Sequence, residues 1–365
     1  MAKKGENIYK RKDGRWEGRY IKAKQEDGRI KYGYIYRASY KEVKQELIKK
    51  KAFYKFRIYA KEMRGGTLAG WLNHWLGAQH NRIRQSTHAS YRNKLETHVI
   101  PFIGDMQLSQ LTPQVMQEWW LELEQRLSVS SANAVVRVLK NALNEPCKKE
   151  MCPPHLFEQM ASSKGGKKVE ALMKSEREQI VAVAVNDSQY LPVLLALETG
   201  MRIGEISGLK WMDIDFKKRQ IEVKRTLQRI SVNEGPNKTC VIETPPKNRQ
   251  SQRIIPISPG VVELLKRLKE TQQGEYVVSK NGKFVEPRTM NYRFKKLLKQ
   301  LDIQSYSFHA LRHTFATNCL EQGVSIAAIS SLLGHASIKM TLDVYTNSTL
   351  LEEHSAIERV TYVRV

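Results

Sequence analysis

From position 8 to about 64, aromatic and β-branched residues fall in short clusters: Ile8-Tyr9, Trp16 with Tyr20-Ile21, and Tyr32, Tyr34, Ile35 and Tyr36. Asp13-Gly14 and Asp27-Gly28, both strong hairpin-turn dipeptides, separate these clusters. Ser39 and Glu42 stand at capping-box spacing ahead of a helix that carries Val43 and Leu47 on one face. After the Gly65-Gly66 hinge the period changes. Leu68, Trp71, Leu72, Trp75 and Leu76 recur at i, i+3, i+4, i+7 and i+8, the apolar face of a helix. Further helices are predicted over 86–99, 112–127 and 130–149, with Thr112-Pro113 supplying an N-cap and a proline at the first helical position. Pro101-Phe102-Ile103-Gly104 interrupts this pattern, and Trp119-Trp120 reads as core. Residues 162–168 have linker composition, small and charged with paired glycine. Beyond them Ser175 and Glu178 repeat the capping-box spacing, and strands are predicted over 220–226, 240–244 and 253–257 within a mainly helical pattern. The fold class is therefore multidomain α+β: a small β-sheet-plus-helix domain, an all-α domain, and a mainly helical domain with a small antiparallel sheet.

Charge changes this picture most. A chain of 365 residues suggests two or three domains, and 61 Lys and Arg against 37 Asp and Glu leave a net +24. A surplus that large repels itself unless a polyanion neutralises it, so nucleic acid or an anionic membrane is the expected partner. The apolar runs at 181–185 and 193–197 are far short of the ~20 residues of a membrane span. The N-terminus leads into polar sequence and not into a signal-peptide core. The four cysteines have no Cys-x-x-Cys pairing and read as ordinary thiols of a reducing cytoplasm. Nucleic acid is favoured over membrane.

The first 66 residues hold 21 Lys and Arg against 8 Asp and Glu. Basic residues alternate there with aromatics, as in Arg15-Trp16-Glu17-Gly18-Arg19-Tyr20. A ribbon of two or three such strands fits a DNA major groove. Arg15, Trp16, Arg19, Tyr20 and Lys22 are the candidate contacts; a solvated basic surface is the plainer alternative.

Four short stretches further on carry candidate chemistry. In Thr199-Gly200-Met201-Arg202-Ile203-Gly204-Glu205 a glycine ends an apolar helix, and Glu205 can hold the Arg202 guanidinium at i, i+3. A surface ion pair worth well under ~1 kcal/mol is the bland alternative. In His309-Ala310-Leu311-Arg312-His313 a helix would place His309 and Arg312 on one face, where they could straddle a phosphate. Leu332-Leu333-Gly334-His335 ends a helix at glycine, and Thr341-Leu342-Asp343-Val344-Tyr345-Thr346 presents one of 15 tyrosines.

Taken in order, Arg202, His309-x-x-Arg312, His335 and Tyr345 resemble the signature of the tyrosine recombinases, the phage integrase family. That family places a lysine on a β-hairpin before a Ser/Arg-rich strand, and Lys247 in Thr244-Pro245-Pro246-Lys247-Asn248-Arg249 matches it. The resemblance extends over the whole chain. It implies an arm-type DNA-binding domain over 1–64, similar to that of integrases from Gram-positive phages and conjugative transposons. A helical core-binding, SAM-like domain over 67–160 and a catalytic domain over 169–365 complete it.

The implied activity is site-specific integration and excision of a mobile element or prophage through a 3′-phosphotyrosine. Tyr345 would be the nucleophile, with Arg202, Arg312 and His335 on the phosphate, His309 as base, Lys247 as acid and Glu205 in support. Removing one such phosphate donor typically costs about 3–4 kcal/mol of transition-state stabilisation. The covalent bond conserves energy, so no cofactor is expected, and no metal is expected because the chain shows no carboxylate cluster to hold one. The implied partners are core and arm attachment sites on double-stranded DNA, with a homotetramer on two duplexes in the bacterial cytoplasm. An excisionase and a DNA-bending protein are admitted as further partners, the need for them left open by the sequence. The tail over 350–365 alternates like a strand, packing on a neighbour or on its own sheet. A nicking-closing enzyme of the type IB topoisomerase kind, a non-catalytic DNA-binding regulator and a basic membrane-surface protein are the rival classes.

Overall fold

The computed structural model describes residues 6–24, 29–63, 66–149, 151–153, 155–158, 160, 170–232, 238–246, 249–335 and 337. The chain divides into two compact units, Met1–Gly166 and Lys167–Val365. Gly65, the Asp27-Gly28 turn, the 162–168 linker and the 350–365 tail lie outside the described residues.

The first unit opens with an antiparallel sheet of β1 (Ile8–Lys10), β2 (Trp16–Lys24) and β3 (Ile30–Arg37), in that order, followed by α1 (Tyr40–Met63). The Ser39 hydroxyl accepts the Glu42 amide at 3.3 Å at the start of α1. Pairing of Arg19 with Tyr34 and of Tyr20 with Gly33 fixes which side chains share a face, because strand residues alternate. Tyr20 and Ile35 join Ile8, Val43 and Leu47 in a small core, with Trp16 packed at its edge. Trp16 meets Tyr40 of α1 edge-on at 5.2 Å, and Tyr20 is only 8% exposed. Trp16 and Tyr20, expected among the DNA contacts, are thus turned to the helix side, where the buried Tyr20 ring is out of reach of a groove and Trp16 is partly covered. The opposite face is aromatic and open: Tyr9, Tyr32, Tyr34 and Tyr36 are all exposed. Arg19 lies 4.4 Å from the Tyr32 ring centre, and Arg11 and Arg15 lie 5.3 and 5.8 Å from that of Tyr36. Lys22 is exposed.

A second core in this unit is all helical: α2 (Leu68–Gln79), α3 (Gln85–His98), α4 (Ile100–Ile103), α5 (Pro113–Arg126) and α6 (Val129–Lys148). Thr67, Thr112 and Ser128 cap α2, α5 and α6 through their hydroxyls, each accepting an early backbone amide. The Pro101–Gly104 interruption is the single turn α4. Trp71, Trp119 and Trp120 are buried, and the indole N–H groups of Trp71 and Trp119 donate to the Ala142 and His98 carbonyls at 2.9 and 3.0 Å. Cys147 and Cys152, scattered in sequence, bring their sulfurs to 2.7 Å.

In the second unit α7 (Lys174–Ala184), α8 (Leu191–Thr199) and α9 (Ile203–Ser207) precede β4 (Ile214–Asp215), β5 (Gln220–Glu222), β6 (Thr226–Ser231), β7 (Thr239–Thr244) and β8 (Ile254–Pro256). α10 (Pro259–Thr271), the hairpin β9 (Ser279–Lys280) and β10 (Lys283–Phe284), α11 (Pro287–Gln300), α12 (Phe308–Glu321) and α13 (Ile326–Leu333) complete it. α7 begins one residue before Ser175: the Glu176 carboxylate accepts the Met173 amide at 2.8 Å, so Glu176 and not Glu178 makes the cap. The strand predicted over 220–226 divides. β5 pairs with β4 and β8, while β6 pairs with β7 in a separate two-stranded sheet among the described residues. Between them Arg225 bonds Asp213 and the Gly208 carbonyl, drawing the chain out of the first sheet. α8 is buried on nearly every side, which explains its lack of a polar face. Among the described residues no helix is long and apolar enough to cross a membrane.

Replacing Trp71 with Ala empties the centre of the helical core and strands the Ala142 carbonyl. The expected loss is about 3–5 kcal/mol in the denaturant-unfolding transition of that core; a loss under ~1 kcal/mol would contradict this packing.

Candidate active site

α8 ends at Gly200, which is left-handed at φ +64°, as the chain must be to turn at once into α9. A Cβ there would also strike Phe315 and Leu333 at 2.5 and 2.8 Å. Arg202 follows in the turn as the residue preceding α9. The Glu205 carboxylate accepts the Arg202 amide at 2.9 Å and its guanidinium at 2.8 Å, capping α9 and fixing the arginine with the same group. Glu205 is 3% exposed, so this is no surface ion pair. Its second partner is Arg253, whose two terminal nitrogens reach the two carboxylate oxygens at 3.2 and 3.0 Å. Burial alone would raise the Glu205 pKa, but Arg253 and Arg202 outweigh it and hold the carboxyl below its ordinary value.

α12 carries His309, Arg312 and His313. Arg312 is 3% exposed and donates to the Gly200 carbonyl at 2.7 Å and the Leu333 carbonyl at 2.6 Å. Both acceptors lie at helix C-termini, where the macrodipole is negative and carbonyls lack helical partners. Arg312 thereby ties the end of α8 to the end of α13. α13 stops at Gly334, left-handed at φ +63°, and the His335 amide returns to the Ser330 carbonyl at 3.1 Å. That turn delivers His335 beside the arginines. Desolvation, then Arg312, Arg202, Arg253 and His309, push the His335 pKa down to about 4. His309 offers surface to solvent, yet the protein around its ring, with Arg312 and Arg202, lowers its pKa as well. Desolvation lowers that of His313.

Arg202, Glu205, His309, Arg312 and His335 are thus brought within electrostatic reach of one another from three separate stretches of chain. Lys247 and Tyr345 lie outside the described residues. Arg253 escaped sequence reading; its only signal was a lone arginine beginning a predicted strand, and its partners are distant in the chain. Chemically, the cluster gathers positive charge beside two imidazoles whose pKa values are lowered, a setting suited to an oxyanion of spread charge such as a phosphodiester.

The family pattern described as "Phage integrase family" matches residues 166–351, and that for "Phage integrase, N-terminal SAM-like domain" matches 67–124. The chain belongs to the phage integrase family. Within it, the chain is a tyrosine recombinase of the transposon or phage type. It is 32% identical over 183 residues to a XerC-like tyrosine recombinase of Caldanaerobacter subterraneus, covering 45% of this chain and 47% of that one. It is 25% identical over 310 residues to the transposase from transposon Tn916 of Enterococcus faecalis, covering 78% and 75%. Its fold resembles that of the Tn1549 transposon integrase, solved in complex with a circular intermediate DNA. The TM-score is 0.67 at 21% identity, over 81% of this chain and 99% of that one.

The His335 shift fixes a pH dependence of stability. The unfolded chain takes up this proton near the ordinary value of 6.5, the folded one only at about 4, so the unfolded state holds more protons between them. Stability is therefore full above pH 6.5 and falls as pH drops towards 4. Thermal melts of His335→Gln should flatten over that window relative to wild type; an unchanged acid slope would refute the shift.

Proposed function

We propose that the recombinase cleaves one strand of duplex DNA by attack of the Tyr345 phenolic oxygen on a phosphodiester. A tyrosyl O–P bond forms and the P–O5′ bond breaks, leaving a 3′-phosphotyrosine and a 5′-hydroxyl. Attack by the 5′-hydroxyl of another strand reverses these steps and joins the two DNAs, integrating or excising a mobile element. The observation that carries this reading is the convergence of Arg202, Arg312, His309 and His335 on one electrostatic centre.

Each group has a part in the reaction. Arg202 and Arg312 present guanidinium forks to the non-bridging oxygens, whose charge grows in the transition state. His335, kept neutral by burial and then by its cationic neighbours, donates a further N–H to the same oxygens. Removing a proton from tyrosine at pH 7 costs about 4 kcal/mol from a reference pKa of ~10, so a base is needed. His309 suits that part because its lowered pKa leaves the imidazole unprotonated and able to accept. Lys247 protonates the leaving 5′ oxygen. Glu205 holds Arg202 in place.

Relatives of known structure are bound to DNA, and the outer modules fit the same partner. The helical domain over 67–160 grips the core site with the catalytic domain. The domain over 1–64 lays the open sheet face, with Arg19, Arg15, Tyr32, Tyr34 and Tyr36, in the groove of a separate arm site. Linking two sites in this way raises the effective concentration of the second. Four protomers assemble on two duplexes in the bacterial cytoplasm.

Two outcomes test this. On a nicked suicide core-site DNA, wild type should form a covalent adduct resistant to denaturation and Tyr345→Phe none; an adduct with the Phe variant would displace Tyr345 as nucleophile. A chain lacking residues 1–64 should still cleave core sites while losing integration in vitro. Full integration by the truncated chain would remove the arm-binding role.

A further inference from the structure

Arg253 has no place in the chemistry above, yet it touches three of the elements that carry it. Its side chain is 5% exposed. Its terminal nitrogens meet both oxygens of Glu205, the carboxylate that holds Arg202. Its Nε donates to the Leu332 carbonyl at the end of α13, three residues before His335. One terminal nitrogen also donates to the Ser251 carbonyl at 3.2 Å, four residues after Lys247 along the chain. A second observation points the same way. A Cβ on Gly334 would fall 2.7 Å from the Gln250 carbonyl oxygen, 3.0 Å from Arg253 Cδ and 3.1 Å from Ser251 Cα. The turn that presents His335 is therefore seated directly on residues 250–253, with no room between them.

We propose that Arg253 is a positioning residue for strand cleavage: from one buried guanidinium it sets the rotamer of Arg202 through Glu205 and the placement of His335 through the end of α13. The proposal rests on reading Arg202 and His335 as groups that contact the scissile phosphate. A buried ion pair adds little net stability, since desolvation of both charges offsets their attraction. What a planar fork adds is direction. Arginine can satisfy two carboxylate oxygens and two carbonyls lying in different directions; a lysine ammonium, a single point on a flexible stem, cannot span them together. The phosphate-contacting groups are then correct in distance only while Arg253 joins the three segments.

The test compares wild type, Arg253→Lys and Arg253→Met as full chains. It reads single-turnover adduct formation on suicide core-site DNA across pH, alongside thermal melting and core-site binding. Arg253→Lys should melt and bind DNA nearly as wild type does, but cleave roughly tenfold to hundredfold more slowly, the cost of a misplacement on the ångström scale. Its acid limb should stay in place, because the charge beside Glu205 remains. Arg253→Met should move that limb to higher pH. Glu205 then lacks the cation that outweighs its burial, takes up a proton sooner and releases Arg202. Adding Glu205→Gln to Arg253→Lys should slow cleavage by less than the product of the two single effects, since both break one link. If Arg253→Met does not fold, the lysine variant and the double variant decide. Wild-type cleavage by Arg253→Lys, or strictly multiplicative effects, would overturn the proposal. Failure of wild type itself to form the adduct would instead sink the reading of the site.

Discussion

A guanidinium taken out of water costs several kcal/mol unless its donors are met, and among the described residues the second unit buries two of them, Arg253 and Arg312. Arg312 is met by carbonyls at the ends of α8 and α13, where helix geometry leaves acceptors unused. Arg253 is met by Glu205, Leu332 and Ser251. Satisfying these charges obliges α8, the α9 turn, the β8 approach and the end of α13 to meet at one point. The left-handed glycines 200 and 334 follow from that obligation, because each lets a helix end at the required place without a side chain in the way. The fold around the site is thus set by how buried positive charge is accommodated.

The same arrangement explains the electrostatics. Burial first, and then three arginines set against one buried carboxylate, push both His309 and His335 towards their neutral forms. A neutral imidazole can accept a proton or donate an N–H, whereas an imidazolium beside three guanidiniums would add repulsion. In the proposed reaction a phosphodiester would supply the negative charge that this cluster lacks. Chemistry and affinity therefore draw on one surplus of charge, which the whole chain repeats on a larger scale in its net +24. Salt should weaken binding steeply for the same reason, through release of counterions from the DNA.

The N-terminal sheet uses charge differently. Among the described residues its core is five buried side chains, and exposed aromatic residues stand on the open face instead, with arginines lying over the rings of Tyr32 and Tyr36. Apolar area left uncovered on so small a domain is costly in water and useful only against a partner. Alternation in the sequence announced that one face would be basic and aromatic. It did not say which face, because a register change of one residue exchanges the two.

Sequence alone determined the elements and the outline of the site. The apolar face of α2 and the bounds of α3, α5 and α6 to about one residue were legible, since an apolar stripe, and the hydroxyl caps of α2, α5 and α6, are local facts. The i, i+3 pair of Arg202 and Glu205 and the shared helix of His309 and Arg312 were legible for the same reason. Tertiary structure decided what local spacing cannot encode. It turned Trp16 and Tyr20 inward, because strand register against α1 selects the buried face. It split the strand over 220–226, because Arg225 bonds residues from an earlier turn. It also brought Arg253 to Glu205 and Leu332, partners 48 and 79 residues away along the chain. A buried charge is recognised only by what surrounds it, and only the folded chain specifies that surrounding.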